Sequence, residues 1–151
     1  MNSIGISVEG VDPPEWMERA ESFARTVLSE LGKDGWELSI LLCGDSFIRG
    51  LNAQYRGKDA STDVLSFEQG EWYVSGDGDR RFLAGDVVIS LETLGRTCAD
   101  LGIPANEELK RLILHGILHL SGYDHDESDP RGEMLDYQES LLKKFSEVHL
   151  L

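Results

Sequence analysis

Trp36-Glu37-Leu38-Ser39-Ile40-Leu41-Leu42-Cys43 decides the fold class. Trp36, Leu38, Ile40 and Leu42 alternate onto one face, as a strand requires. The second half, Ile40-Leu41-Leu42-Cys43, is apolar on both faces. A run of that kind belongs in the middle of a sheet covered on both sides. Working outward, Ile4, Ile6 and Val8 alternate with small or polar residues and form a shorter strand before it. Between the two lies a helix. Asp12 is expected to cap it, Pro13 to occupy its first position, and Glu15 to complete a capping box. Met17, Ala20, Ala24, Val27, Leu28 and Leu31 follow at helical spacing, and Gly32 ends the run.

Beyond Cys43, Gly44-Asp45 opens a short helix carrying Ile48, Leu51 and Tyr55, and residues 56–63 read as a polar loop. Val64 to Phe67 is a compact third strand, and Gly85 to Ser90 a fourth. Residues 68–84 between them read as an excursion with a hairpin around Gly76 and Gly78. Three helices close the chain: Leu91–Leu101 ended by Gly102, Ala105–Ser121 ended by Gly122, and Pro130–Val148 capped by Asp129. About four strands and five helices give a layered α+β or α/β body. We expect α+β: a single domain over 1–151, with one small, mostly four-stranded sheet packed by about five helices. The strand order stays open at this level.

Composition narrows the function. The chain has 151 residues, 40% hydrophobic and 28% charged, which is enough for one folded domain. Its net charge is −14, which argues against a protein that coats duplex DNA by bulk electrostatics. A local basic strip remains compatible with that total. No apolar run reaches the roughly 20 residues of a membrane span, and Met1 to Glu9 lacks the pattern of a signal peptide. Cys43 and Cys98 form no CxxC motif, and two buried reduced thiols in a cytoplasmic protein are expected.

The chemistry concentrates in His115-Gly116-Ile117-Leu118-His119-Leu120-Ser121-Gly122-Tyr123-Asp124-His125. On a helix, residues i and i+4 lie about 40° apart around the axis, one turn up. His115 and His119 therefore point the same way. Leu112, Ile113, Leu114, Ile117, Leu118 and Leu120 surround them, so the helix is buried and the imidazoles are expected in a low-dielectric setting. Gly122 stops the helix, and the turn can return His125 to the first two. Three nitrogen ligands with a fourth position left to water is the pattern of a catalytic zinc site. Three separately satisfied core histidines are the plainer alternative. Three of the chain's four histidines within eleven positions favour metal. His149, near the C-terminus, reads as a solvated tail residue.

Metzincin proteases share this histidine spacing, but they need a glutamate general base directly after the first histidine. Gly116 stands there, and a glycine cannot move a proton. Peptide hydrolysis by that route is disfavoured.

The eleven-residue stretch from His115 to His125 resembles the signature of the YbeY family, bacterial metal-dependent endoribonucleases of ribosomal RNA maturation. Tyr55-Arg56-Gly57-Lys58-Asp59, with Thr62-Asp63-Val64-Leu65-Ser66-Phe67, is similar to that family's central block. Gly85-Asp86-Val87-Val88-Ile89-Ser90 is similar to its next strand. The residues between Phe67 and Gly85 depart from the pattern by being longer. The resemblance implies His115, His119 and His125 as ligands of one Zn2+ or another divalent ion, and Arg56 as the catalytic basic residue. It implies a single-strand-specific endoribonuclease of ribosomal RNA, including the 16S 3′ end, with a role in ribosome quality control. The implied partners are ribosomal RNA, the small ribosomal subunit and assembly factors, in the cytoplasm, with no membrane and no DNA.

Physical chemistry stands beside that implication. A guanidinium binds phosphate oxygens bidentately and stabilises charge developing at phosphorus. The competing role for Arg56 is an ion pair with Asp59 or Asp63, and Lys58 has the same ambiguity. Arg49, Arg56, Lys58, Lys110 and Arg111 are the candidates for a basic cleft. Asp124 and Asp126 could orient His125 or simply form the turn. Two rival functions remain: a metal-dependent hydrolase of another substrate, and a non-catalytic ribosome-assembly module with a structural metal.

Overall fold

The computed structural model describes residues 1–123 and 132–151. They form β1 (Ser3–Glu9), α1 (Met17–Glu30), β2 (Trp36–Cys43), α2 (Asp45–Arg56), β3 (Val64–Val74), β4 (Arg80–Ser90), α3 (Leu91–Leu101), α4 (Ala105–Leu120) and α5 (Glu133–Lys144). The expected α+β architecture is present. The sheet order is β1-β2-β4-β3; β1 and β2 run parallel, as do β2 and β4, while β3 is antiparallel to β4.

The two-faced apolar run on β2 explains this arrangement, because β2 is central. Leu38, Ile40 and Leu42 join Val87 and Ile89 of β4 in the main core, under α1, α4 and α5. Leu41 and Cys43 turn to the other face. There Ile48 of α2, Leu65 and Val88 build a smaller cluster. Asp45, at the start of α2, ties this layer to α3. Its carboxylate accepts from Ser90 Oγ (2.8 Å) and Thr93 Oγ1 (2.6 Å) and pairs with Arg96 (2.6 Å). The Arg96 hydrogen bond is the main cause that lowers the Asp45 carboxyl to about 2.

Three stretches of the chain differ from expectation. Helix α1 starts at Met17, not Pro13, and Asp12 does not cap it. Pro14 restricts Pro13 to extended backbone, so a helix cannot begin there. Residues 68–84 do hold a hairpin, but its arms are continuations of β3 and β4 rather than a separate excursion. The register shifts between Glu68 and Glu71, opposite Gly85, and this bulge breaks the alternation that would have revealed the longer strands. Gly85 sits at φ 139°, and a Cβ there would lie 2.1 Å from the Phe67 carbonyl oxygen, so only glycine fits.

Helix α5 begins at Glu133 after Gly132, later than Pro130, and stops at Lys144 rather than Val148. Asp129 and Pro130 lie outside the described residues. Past the stop, the buried Lys110 ammonium donates to the carbonyls of Phe145 (2.9 Å) and Val148 (2.8 Å), which satisfies its charge inside the fold.

Candidate metal and phosphate site

Helix α4 runs through the core with ten buried residues. Gly116 is what lets it lie so close to the sheet: a Cβ there would meet Val87 Cγ1 at 2.6 Å and Cγ2 at 2.7 Å. The position that holds glutamate in metzincins is therefore filled by the helix–sheet contact itself. His115 and His119 project from the same side and are half-buried, wetter than the apolar helix alone suggested.

Their Nε2 atoms face each other at 3.1 Å. Nitrogens bound to one tetrahedral zinc at about 2.0–2.1 Å lie about 3.3 Å apart, so the pair matches a shared cation. His115 Nδ1 lies 2.7 Å from Gln138 Oε1 on α5. The Gln138 amide nitrogen donates to Glu139 Oε2 (3.2 Å), which turns its oxygen toward His115. That oxygen can only accept, so the proton belongs on Nδ1 and the Nε2 lone pair points at the ligand position. Glu139 in turn is held by Arg111 at 3.0 and 3.1 Å, and that hydrogen bonding lowers its carboxyl. The donor set therefore fits a divalent ion.

His125, Asp124 and Asp126 lie outside the described residues. Among the described residues no three His, Cys, Asp or Glu side chains form a metal group.

Arg56 is the last residue of α2. Gly57 follows in the left-handed conformation (φ 68°) and turns the chain away. Arg56 is exposed, makes no ion pair with a described carboxylate, and lines a recess of about 170 Å³ together with His119, Ser66, Glu68 and Tyr123. The carboxylate suggested as its partner, Asp59, belongs to Arg49 (2.7 Å). The loop after α2 is held by Asn52 Nδ2 donating to the Ala60 carbonyl (2.9 Å) and by the Ser90 N–H donating to the backbone carbonyl of Asp63 (2.9 Å).

The basic cleft is smaller than the sequence suggested. Arg56 alone of the five candidates lines this recess. Lys110 is internal, Arg111 supports Gln138 through Glu139, Arg49 is paired, and Lys58 is exposed on the neighbouring loop. His149 is exposed, as expected of a tail residue. Cys43 is buried, which pushes its thiol up to about 11, and Cys98 is half-buried; both are free. Gln138 was missed in the sequence. Its signal was a polar residue between Met134 and Leu141 on the buried stripe of α5.

A family model described as Endoribonuclease YbeY matches residues 6–146. The chain belongs to that family. A Treponema denticola relative named Endoribonuclease YbeY is 47% identical over 151 residues, covering 99% of this chain and 97% of its own. One from Aquifex aeolicus, with the same name, is 43% identical over 132 residues, covering 87% and 85%. The solution structure of a Thermotoga maritima protein shares the fold, with a TM-score of 0.67 at 23% identity over 95% of this chain and 90% of its own. The protein is therefore an α+β enzyme of the endoribonuclease class.

Proposed function

We propose that the protein is a metal-dependent endoribonuclease that cuts single-stranded regions of ribosomal RNA during maturation, including the 16S 3′ end, and in ribosome quality control. The observation that carries this reading is the placement of Arg56 in one recess with His119, whose Nε2 faces that of His115 at 3.1 Å. His115, His119 and His125 would hold the ion, and their imidazole donors favour zinc among common divalent metals. Bound there, it supplies Lewis acidity toward a water or a phosphoryl oxygen.

The chain's own residues do the rest. Arg56 grips the scissile phosphate through its planar fork and offsets charge that grows at phosphorus. Gln138 holds the His115 tautomer, and the Arg111–Glu139 pair holds Gln138. The negative body leaves RNA affinity to a few contacts, so delivery by the small ribosomal subunit or an assembly factor fits the charge of −14. No helix among the described residues is long and apolar enough to cross a membrane, and ribosome assembly places the protein in the cytoplasm.

The test uses zinc-loaded protein against structured RNA, casein and simple esters. RNA cleavage alone is expected, falling by about 100-fold or more in Arg56→Ala. Parental cleavage by a folded, metal-retaining Arg56→Ala would remove its role. Cleavage of casein or esters instead would point to another hydrolase.

A further inference from the structure

Three aromatic rings cross the sheet in register: Trp36 on β2 opposite Phe82 on β4, and Phe82 opposite Trp72 on β3. Their centroids are 4.9 and 4.8 Å apart. Trp36 is buried, but Trp72 is 50% exposed on an edge strand. A cation covers each end of the row: Lys33 Nζ lies 5.2 Å from the Trp36 ring, and the Arg80 guanidinium 4.6 Å from the Trp72 ring. These rings and Lys33 line a trough of about 560 Å³. Glu68, Leu120 and Gly122 form walls of both this trough and the Arg56–His119 recess, so the two adjoin.

A lone exposed tryptophan needs no explanation. A supported ring flanked by cations, in a trough that adjoins the Arg56 recess, has the composition of a single-strand binding platform. Ring faces accept any base, and adjacent cations meet the backbone.

We propose that Trp72, braced by Phe82 and Trp36, is a base-stacking subsite for an unpaired nucleotide of the RNA strand held at Arg56. Lys33 and Arg80 meet the flanking phosphates. The subsite rests on the endoribonuclease reading for its occupant. Duplex RNA is refused because its bases are already stacked on each other. Trp72 binds the strand and takes no part in the bond that breaks.

The probe is a fluorescein-labelled, single-stranded uridine dodecamer, with a duplex of equal length as control, added to the full chain in excess chelator so that the strand is bound without being cut. Anisotropy is expected to show Trp72→Ala raising Kd about 5- to 100-fold, with Trp72→Phe restoring binding to within about threefold of the parent. The single strand quenches intrinsic emission of the parent, the duplex does not, and most of the quench is absent from Trp72→Phe. In cleavage assays Trp72→Ala raises KM and leaves kcat near the parental value.

Binding of the dodecamer without quenching in the parent overturns the proposal, whatever the variants do. So does a Trp72→Ala protein with parental Kd, KM, circular dichroism and melting. If the parent binds and quenches yet cuts no RNA, the nuclease reading fails and the subsite stands. If the parent cuts RNA and Trp72→Ala keeps its KM, the subsite fails alone.

Discussion

Replacing Gly116 with alanine tests how closely α4 lies on the sheet. The added Cβ would fall 2.6 and 2.7 Å from the two γ carbons of Val87 and 3.2 Å from its Cβ. Val87 is fully buried on a central strand and, being β-branched, has few rotamers to yield. Alanine gains about 1 kcal/mol of helix propensity over glycine. Overpacking a stiff site costs up to about 3 kcal/mol. The difference is a loss of up to about 2 kcal/mol, or at most about 4–8 °C in Tm for a chain of this size. The strain has one source, so it has one remedy. Val87→Ala alone opens a cavity and costs about 2–3 kcal/mol. In combination with Gly116→Ala the freed space accepts the new methyl, and the pair should be more stable than the sum by roughly 1–2 kcal/mol. Thermal and urea unfolding with excess chelator keeps metal binding out of the comparison. A Gly116→Ala protein that melts at or above the parent, or a double variant that is simply additive, would refute the close packing. Gly116→Glu, which restores the metzincin residue, should fail to fold rather than gain proteolysis.

Gln138→Leu keeps the apolar stripe of α5 but removes the acceptor for His115 Nδ1; zinc affinity measured by chelator competition should fall about 10- to 100-fold with the melting of the metal-free form little changed, and unchanged affinity would sink the tautomer role. The Asp45 carboxyl is lowered from 3.8 to about 2, chiefly by Arg96. A depressed folded value adds stability above pH 3.8 that is lost as pH falls toward about 2. The Tm gap between the parent and Asp45→Asn should therefore be full at pH 7 and shrink across that window; a constant gap would exclude the linkage. Lys110→Met removes the ammonium's hydrogen bonds to the Phe145, Ser146 and Val148 carbonyls, so it should lower Tm while leaving the salt dependence of RNA binding as it was. RNA affinity itself should fall steeply as salt rises, with a log–log slope of about −0.7 for each phosphate met, and a flat response would count against a phosphate-binding cleft.

Periodicity and glycine stops carried most of the fold. The bounds of β2 and α3 and the start of α2 are legible because each pattern meets a turn residue, Gly44 between β2 and α2 and Gly102 after α3; α2 itself runs to Arg56, one residue into the expected loop. Where local signals conflict with tertiary demands, they fail. Asp12-Pro13 looks like a helix start until Pro14 is weighed against it. The arms of β3 and β4 beyond Phe67 and before Gly85 are hidden by a bulge that desynchronises alternation. At the site, the i, i+4 histidines were legible because helix geometry alone brings them together. Arg56 was a candidate through the family resemblance alone, since its solvent-facing place beside His119 depends on how α2 and α4 meet the sheet. Lys110 and Arg111 show the converse. Adjacent in sequence, both charged, they read as a basic strip, yet one serves carbonyls at the end of α5 and the other a carboxylate network. A charge's partner is a long-range fact that spacing does not encode.

The central claim is that His115 and His119 share one cation with His125. Metal analysis of protein purified without chelators, for the parent and for His115→Ala and His119→Ala, tests it most directly. One divalent ion for each parental chain, with little or none in either variant, is the expected result. A parent free of metal, or folded variants that keep the full complement, would contradict it.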